Sequence, residues 1–313
     1  WLAWLNNFAP YYFPPLIIGL PLGLLLQRKY LSLIHLILIG IAIIWLLPRF
    51  LGNRSVSSMA ASGQVLKIVT FNVWGDNPRL DDVQLWLREM DADLVLLQEI
   101  PPAWAGVGIP ELTDIYPHQI SQPLEVRAWG DAILSRYPIL THERYDLYNG
   151  FTANDRITIE WKERSIAIYN IHLSMPQRDT PYFTLPINNP FLNMLLKYDD
   201  ERRNRQIDLL LDRLVAEDYA FIVAGDFNMS DHAAKYGEIA AQFHDSYRES
   251  GWGMGATWPN SRVAGFPSFV PPVLRIDYVW HSNAFRALSA HTGPELGSDH
   301  YPLVTMLQWN DSN

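Results

Sequence analysis

The chain has no cysteine, which excludes disulfide staples, thiolate metal sites and cysteine nucleophiles together. Its first 50 residues contain no Asp or Glu and only three basic side chains, Arg28, Lys29 and Arg49. The other 263 residues therefore carry 21 Lys+Arg against 33 Asp+Glu, a net charge of −12. A region so acidic has no general attraction for a polyanion such as duplex DNA, although a local basic cleft is compatible with it. No P-loop, GxSxG or HExxH pattern occurs, so the usual sequence signals for nucleotide hydrolysis, serine hydrolysis and zinc proteolysis are missing. No internal repeat is visible.

What the first 50 residues do have is apolar length. Tyr30–Leu47 (YLSLIHLILIGIAIIWLL) is an 18-residue run with almost no polar interruption, and a helix of that length covers roughly 27 Å, close to a bilayer core. Pro48 and Arg49 are expected to end it. Residues 13–26 form a second apolar run, interrupted by Pro14, Pro15 and Pro21 and ending at Gln27-Arg28-Lys29. Neither run has a polar face to offer water, which disfavours a soluble hairpin. The longer run lies too far into the chain for a cleaved signal peptide. Residues 1–50 thus read as a membrane segment with spans at about 13–26 and 30–47, and the bilayer is the first expected partner. Arg28 and Lys29 between the spans favour a cytoplasmic loop and an extracytoplasmic remainder, while Arg49 and Arg54 pull the other way. The chain begins at Trp1 rather than Met, as a fragment or a processed chain would. Residues 51–64, rich in Ser and Ala, read as a linker.

From residue 65 on, short β-branched runs alternate with helical patterns. Strands are expected at 65–73, 92–100, 129–136, 156–161, 165–174, 219–228, 275–282 and 300–309, and helices at 79–90, 199–216 and 233–242. Many strands with interspersed helices over residues 65–313 suggest an α/β domain of two packed sheets with helices outside.

Polar residues end several of these apolar strands. Asn72 ends KIVTFN, Glu99 ends DLVLLQE and His172 ends IAIYNIH. Asp226 and Asn228 end AFIVAGDFN, Asp277 lies in LRIDYVW, and Asp299-His300 forms the GSDH turn before YPLVTML. Taken singly, each has a bland reading as a turn former, helix cap or satisfied core residue. Their joint occurrence after apolar leads is what points to a site, because rigid scaffolds carry reactive groups at strand ends. Carboxylate and amide oxygens select a hard cation such as Mg²⁺ or Mn²⁺. Two histidines with further carboxylates suit acid–base work on a phosphoryl group.

With the motifs TFNVWG, LLQE, WGDAILSRYPI, NIHLS, AGDFNMS, LRIDYVW and GSDHYPL, residues 65–309 resemble the endonuclease/exonuclease/phosphatase superfamily. The resemblance implies a DNase I-like four-layered α/β sandwich, two mixed sheets flanked by helices. It also implies roles by position. Glu99, Asn72 and Asp299 match metal-site residues. Asp226 matches the acid that orients or deprotonates the attacking water, and Asn228 the residue that positions it. His300 matches the histidine that stabilises developing charge or acts as base, and Asp277 the acid that orients it. His172 matches the phosphate-contacting histidine of the DNase and sphingomyelinase branches, where abasic endonucleases have tyrosine. The architecture, apolar segments followed by this domain, is similar to bacterial membrane phosphatases associated with teicoplanin resistance, thought to act on polyprenyl pyrophosphate outside the membrane.

The expected activity is Mg²⁺-dependent hydrolysis of a phosphoester or pyrophosphate bond in a phosphorylated, lipid-linked substrate at a membrane. The alternatives are a nuclease, a sphingomyelinase-like phosphodiesterase and a non-catalytic membrane module. The apolar loop at residues 175–198 is a candidate lip toward the bilayer, and residues 251–272 are a second candidate rim. Arg127, Arg136, Arg156, Arg178, Arg202, Arg203, Arg205 and Arg262 are candidates for substrate phosphate contacts.

Overall fold

The computed structural model describes residues 2–51, 64–122, 129–148, 154–180, 195–260 and 269–310. Most of the expected linker lies outside these. The chain begins with a short helix α1 (Leu2–Asn7) and a 3-10 turn (Ala9–Tyr12). Helices α2 (Pro15–Leu25) and α3 (Lys29–Leu51) then form an antiparallel hairpin. Gly19 on α2 leaves room for the His35 ring, whose Nδ1 lies 2.8 Å from the Leu31 carbonyl. Ile34, Ile37, Ile41 and Ile44 stand exposed along α3.

Two expectations change here. Helix α3 does not stop at Pro48 but runs through it to Leu51. Proline removes one backbone donor, but the following turn is held from outside, since Phe50 accepts a bond from Gly253 N–H (2.9 Å) and packs on Trp252. Helix α2 has only 11 residues, roughly 16 Å, against a bilayer core of about 30 Å. Among the described residues, one helix is long and apolar enough to cross a membrane, over Lys29–Pro48.

The remaining chain builds two six-stranded sheets. The first uses β1 (Val65–Asn72), β2 (Leu94–Ile100), β3 (His118–Gln122), β4 (Gly130–Ser135), β11 (Phe285–Thr292) and β12 (Leu303–Trp309) in the order β11-β12-β1-β2-β4-β3. The second uses β5 (Ile139–Tyr145), β6 (Asn154–Trp161), β7 (Arg164–His172), β8 (Ala220–Asp226), β9 (His244–Asp245) and β10 (Asp277–His281) in the order β5-β6-β7-β8-β10-β9. Each sheet has one parallel pair near its middle, β1 with β2 and β7 with β8, and is otherwise antiparallel. Both sheets are mixed, as the family resemblance implied. Strands β3, β5, β9 and β11 were not expected. Strand β5 (ILTHERY) is an edge strand whose residues are mostly exposed, so it lacks the apolar run that marks a buried strand.

Strand parity explains the layers. In β1, Leu66 and Ile68 face the gap between the sheets, while Val69 and Phe71 face outward. In β7, Ile166 and Ile168 face the gap, and Ala167, Tyr169 and Ile171 face outward. The outer face of the first sheet is covered by α4 (Leu80–Met90) and α5 (Pro102–Gly106) through Val83, Leu87 and Trp104. The outer face of the second is covered by α6 (Glu201–Val215) through Ile207, Leu210, Leu211 and Leu214, with α7 (Ala234–Ala240) beside it. Helix α8 (Ser246–Ser250) packs at the sheet ends against β10 and β11. The result is a helix–sheet–sheet–helix sandwich with its central core between the sheets.

Gly225, beside Asp226, shows how tightly the middle is drawn together. Its φ is +143°, and a Cβ there would lie 1.8 Å from the Ile171 carbonyl oxygen on β7. That oxygen is backbone in a parallel pair and has nowhere to go. Gly225→Ala is expected to destabilise the protein by at least ~2 kcal/mol, read as a lowered thermal unfolding midpoint. An unchanged midpoint would contradict this account of the β7–β8 approach.

Candidate active site

The gap between the sheets turns polar at one end. The apolar stripe Leu66, Ile68 of β1 continues, at the same parity, into Thr70 and Asn72, and that of β7 into Asn170 and His172. On β8, Ile222 and Ala224 lead to Asp226, and Asp277 starts β10 directly opposite Asp226. The first polar layer is bonded largely within itself, with Gln98 Oε1 left without a partner among the described residues. Gln98 Nε2 donates to Asn170 Oδ1 (2.6 Å) and Thr70 Oγ1 (3.2 Å), and Asn170 Nδ2 donates to the Leu97 carbonyl (3.0 Å). The next layer is the candidate site.

Glu99 reaches that layer by breaking parity. Gln98 already faces the gap, so a regular strand would turn residue 99 outward. The pairing of β2 with β4 slips between Leu97 and Ile100, and Glu99 has φ +56°. This bulge re-aims its side chain into the site, a common use of bulges beside active centres.

Asp226 is the hub. Its Oδ2 accepts from Asn72 Nδ2 (3.1 Å) and Asn228 Nδ2 (3.3 Å), and its Oδ1 accepts from Asn228 N–H (2.7 Å). The GDFN segment is thus an Asx turn and a site element at once. Asn72 Nδ2 also donates to Glu99 Oε1 (3.0 Å). His300 Nε2 lies 3.7 Å and His172 Nε2 3.9 Å from Asp226 Oδ2, and His172 Nε2 is 3.5 Å from Glu99 Oε1. His300 Nδ1 and Asp277 Oδ2 are hydrogen-bonded at 2.9 Å. Asp299 Oδ2 accepts from Trp258 Nε1 (3.3 Å). Seven of the eight residues singled out in the sequence are thus joined by these contacts, and Asp299 stands on the same cavity wall.

Burial sets the charges. Removal from water raises the Asp226 carboxyl well above its ordinary range, with Asp277 adding to the rise and His300 and the Asn228 and Asn72 bonds opposing it. The same burial would neutralise His300, but the charges of Asp277 and Asp226 outweigh it and hold the imidazole protonated well above its usual value. His172, buried and facing the His300 charge, is lowered to about 4. Burial raises Glu99, and Asp299's charge adds to this against the Asn72 bond and His300. Two histidines in one pocket therefore hold opposite protonation states at neutral pH, the pattern that assigns distinct acid–base roles.

Two sets of side chains bear on metal binding. Donor atoms of Asp226, Asp277 and His300 lie within 4.8 Å of one another, close enough to hold an ion. There, however, a proton already bridges Asp277 and His300, and a cation would have to displace it. Glu99 and Asp299 offer carboxylate oxygens to a hard cation, while Asn72 turns its Nδ2 toward Glu99 and its Oδ1 accepts from Trp74 N–H (3.1 Å). Glu99 is a buried carboxylate whose charge burial disfavours. A cation beside it would offset that cost. The Glu99 and Asp299 oxygens suit a hard cation without displacing that proton.

Above these groups opens a cavity of about 540 Å³. Trp129, Met175, Trp258 and Leu274 contribute to its walls. The Endonuclease/Exonuclease/phosphatase family model matches residues 69–300. The chain belongs to this family. The Endonuclease/Exonuclease/phosphatase family is generally hydrolytic on phosphoester bonds and typically uses a divalent metal. Among solved structures, the chain is similar to an endonuclease/exonuclease/phosphatase from Bacteroides vulgatus (16% identity, TM-score 0.59, covering 79% of this chain and 99% of that one). It is also similar to a family protein from Leptotrichia buccalis (18% identity, TM-score 0.56, 78% and 100% covered). Truncated Caenorhabditis elegans TDP2 matches with 14% identity, TM-score 0.60 and coverage of 78% and 98%. At these identities the likeness is one of fold. No curated protein sequence matches the chain.

Other expectations fare unevenly. Arg203 is buried under the site, where its Nη1 donates to the Asn228 carbonyl (2.8 Å) and its Nη2 to Asp200 (3.0 Å). It supports the loop and does not face substrate. Arg136 pairs with Asp91 and Arg156 with Glu217, whereas Arg202 lines the cavity. Arg127 and Arg262 lie outside the described residues, as do 181–194 of the candidate lip and 261–268 of the second rim. Three contributors were missed. Asn154 Oδ1 accepts from His172 N–H (3.0 Å), Ser298 Oγ donates to the Asn72 carbonyl (2.7 Å), and Trp258 bonds Asp299. Ser298 sits in the GSDH motif and was within reach of motif reading; Asn154 and Trp258 carry no local signal.

The electrostatics make a prediction for ring-nitrogen NMR of the histidines. His300 should lose its proton well above pH 6.5, and Asp277→Asn should bring that loss to lower pH by removing its nearest charge. His172 should stay neutral until pH falls to about 4. A His300 midpoint unmoved by Asp277→Asn would refute the pairing.

Proposed function

We propose that the protein is a divalent-metal-dependent phosphohydrolase that cleaves a phosphoester or pyrophosphate bond in a lipid-linked substrate at a membrane surface. The observation that carries the reaction class is the Asp226 hub, with a carboxyl group and an imidazole 3.7 Å apart beside the Glu99 and Asp299 carboxylates. Asn228 and Asn72 fix the Asp226 carboxylate, leaving it aimed at the position an attacking water would take. Water's oxygen forms the new bond to phosphorus, the bond to the leaving group breaks, and the water's proton passes to the Asp226–His300 pair. Which of the two holds it is a property of the pair. Asp277 keeps His300 oriented and charged, so that it stabilises the negative charge growing on the phosphoryl oxygens. Neutral His172 can donate a hydrogen bond to a phosphoryl oxygen without competing for that proton. A divalent cation held by Glu99, Asn72 and Asp299, with Mg²⁺ or Mn²⁺ fitting the donors, would neutralise the phosphoryl group.

The membrane part of the proposal rests on the apolar α2–α3 hairpin and its exposed isoleucines. Because α1 is docked on the sandwich, the two lie on the same side of any bilayer that the hairpin enters. The basic turn at Arg28 and Lys29 favours an extracytoplasmic face. The acidic sandwich weighs against a nuclease.

The test uses the full chain in detergent micelles with polyprenyl pyrophosphate, sphingomyelin, inositol phosphates and plasmid DNA, with and without EDTA. Release of phosphate from the lipid pyrophosphate should require metal. Asp226→Asn and His300→Ala should each lower kcat ~100-fold or more, and Glu99→Gln should raise the Mg²⁺ needed for half activity ~10-fold. Cleavage of DNA in preference to the lipid would replace the proposal with the nuclease reading, and no metal-dependent turnover of any substrate would leave a non-catalytic module.

A further inference from the structure

The most consequential contact outside the catalytic residues is made by the first few residues of the chain. Trp4, Asn7 and Phe8, on and just after α1, line the same cavity as Glu99, Asp226 and His300. They are docked there by specific bonds. Ser230 Oγ, two residues beyond Asn228, donates to Asn7 Oδ1 (2.7 Å), and the Asn7 side chain also bonds Tyr198. Tyr11 Oη donates to the Val273 carbonyl (2.7 Å). Trp4 and Asn7 are buried, and the Trp4 and Phe8 rings meet at 4.7 Å. The hairpin is fastened close by, with Trp45 against His232 at 5.4 Å and Phe50 against Trp252 at 4.8 Å.

The cavity is therefore two-ended in chemistry. Its floor is the charged layer. Its α1 side presents two aromatic rings, and Met175, Pro176 and Leu274 add further apolar surface. At about 540 Å³ it is far larger than a phosphoryl group requires. The aromatic side belongs to the segment that runs, through the 3-10 turn, straight into the apolar hairpin.

We propose that α1 is a specificity element of the active site. Trp4 and Phe8 receive the hydrocarbon portion of an amphiphilic phosphate or pyrophosphate whose head group lies over Glu99, Asp226 and His300. This deepens the lipid-linked reading above and rests on it for the identity of the head group. Asn7 is a positioning residue: it ties α1 to the Ser230 loop, so that the aromatic wall and the catalytic floor keep a fixed spacing. The apolar occupant is favoured over a plug role because, among the described residues, a cavity of about 540 Å³ remains between α1 and the charged floor, with Phe8 partly exposed beside the buried Trp4.

The test measures binding, so that it does not depend on turnover. The full chain in detergent micelles with Mg²⁺ is titrated with methylphosphonate and with dodecylphosphonate, which share a non-hydrolysable head and differ in the chain. Wild type should bind the dodecyl compound more tightly. Trp4→Ala/Phe8→Ala should lose ~10-fold or more of that affinity and leave methylphosphonate binding unchanged. Phe8→Ser, at a partly exposed position, serves if the double variant does not fold and should give a smaller loss of the same kind; Trp4→Phe should restore most of it. Equal affinity of wild type for the two phosphonates, an equal loss for both in the variant, or a gain for both would each overturn the proposal. The last would mark α1 as a plug. Failure of the hydrolase reading shows separately, as metal-dependent phosphate release that Asp226→Asn does not change.

Discussion

The Asp226 carboxylate lies between two sheets and has almost no access to water, so donors from both sheets must answer it. Asn72 does so from the first sheet, and Asn228, His172 and His300 approach from the second sheet and the loops. A buried carboxylate without such partners would simply take up a proton. Here burial and Asp277 pull the Asp226 carboxyl toward its protonated form while the His300 charge, 3.7 Å away, and the Asn72 and Asn228 bonds oppose them. The raised His300, the lowered His172 and the raised Glu99 all follow from packing several titratable groups into this one buried layer.

The scaffold produces that layer by parity. Alternate residues of β1, β7, β8 and β10 face the gap, and the apolar stripes simply end in polar residues at the same edge. The hydrogen bonds among Thr70, Gln98 and Asn170 lie beneath, between the apolar core and the charges above.

This is also why much of the site was legible in the sequence. Asn72, His172 and Asp226 each close an apolar alternation, and Asp277 and His300 stand in motifs whose family match is specific. Glu99 was legible only through its motif, because its direction depends on a bulge that LLQEIPP does not announce. Strand β5 escaped because an edge strand needs no apolar face. Helix α1 escaped for a different reason: LAWLNNF reads locally as the approach to a membrane span, and only its tertiary bonds to Ser230 and Tyr198 reveal that it belongs to the cavity. The end of α3 was misplaced because a local rule about proline was overridden by contacts with Trp252 and Gly253.

The two sheets have a further property in common. Each contributes a single parallel pair, and the candidate site lies at the carboxyl ends of both. Asn72 and Glu99 ride on one pair, His172 and Asp226 on the other, and only side-chain bonds cross between them. The width of the inter-sheet gap therefore fixes the spacing between the two halves of the candidate site. A core residue such as Ile168 or Ala224, which touches no substrate, sets how far apart the two halves of the chemistry stand. Repacking the middle of this protein would retune its active site from within.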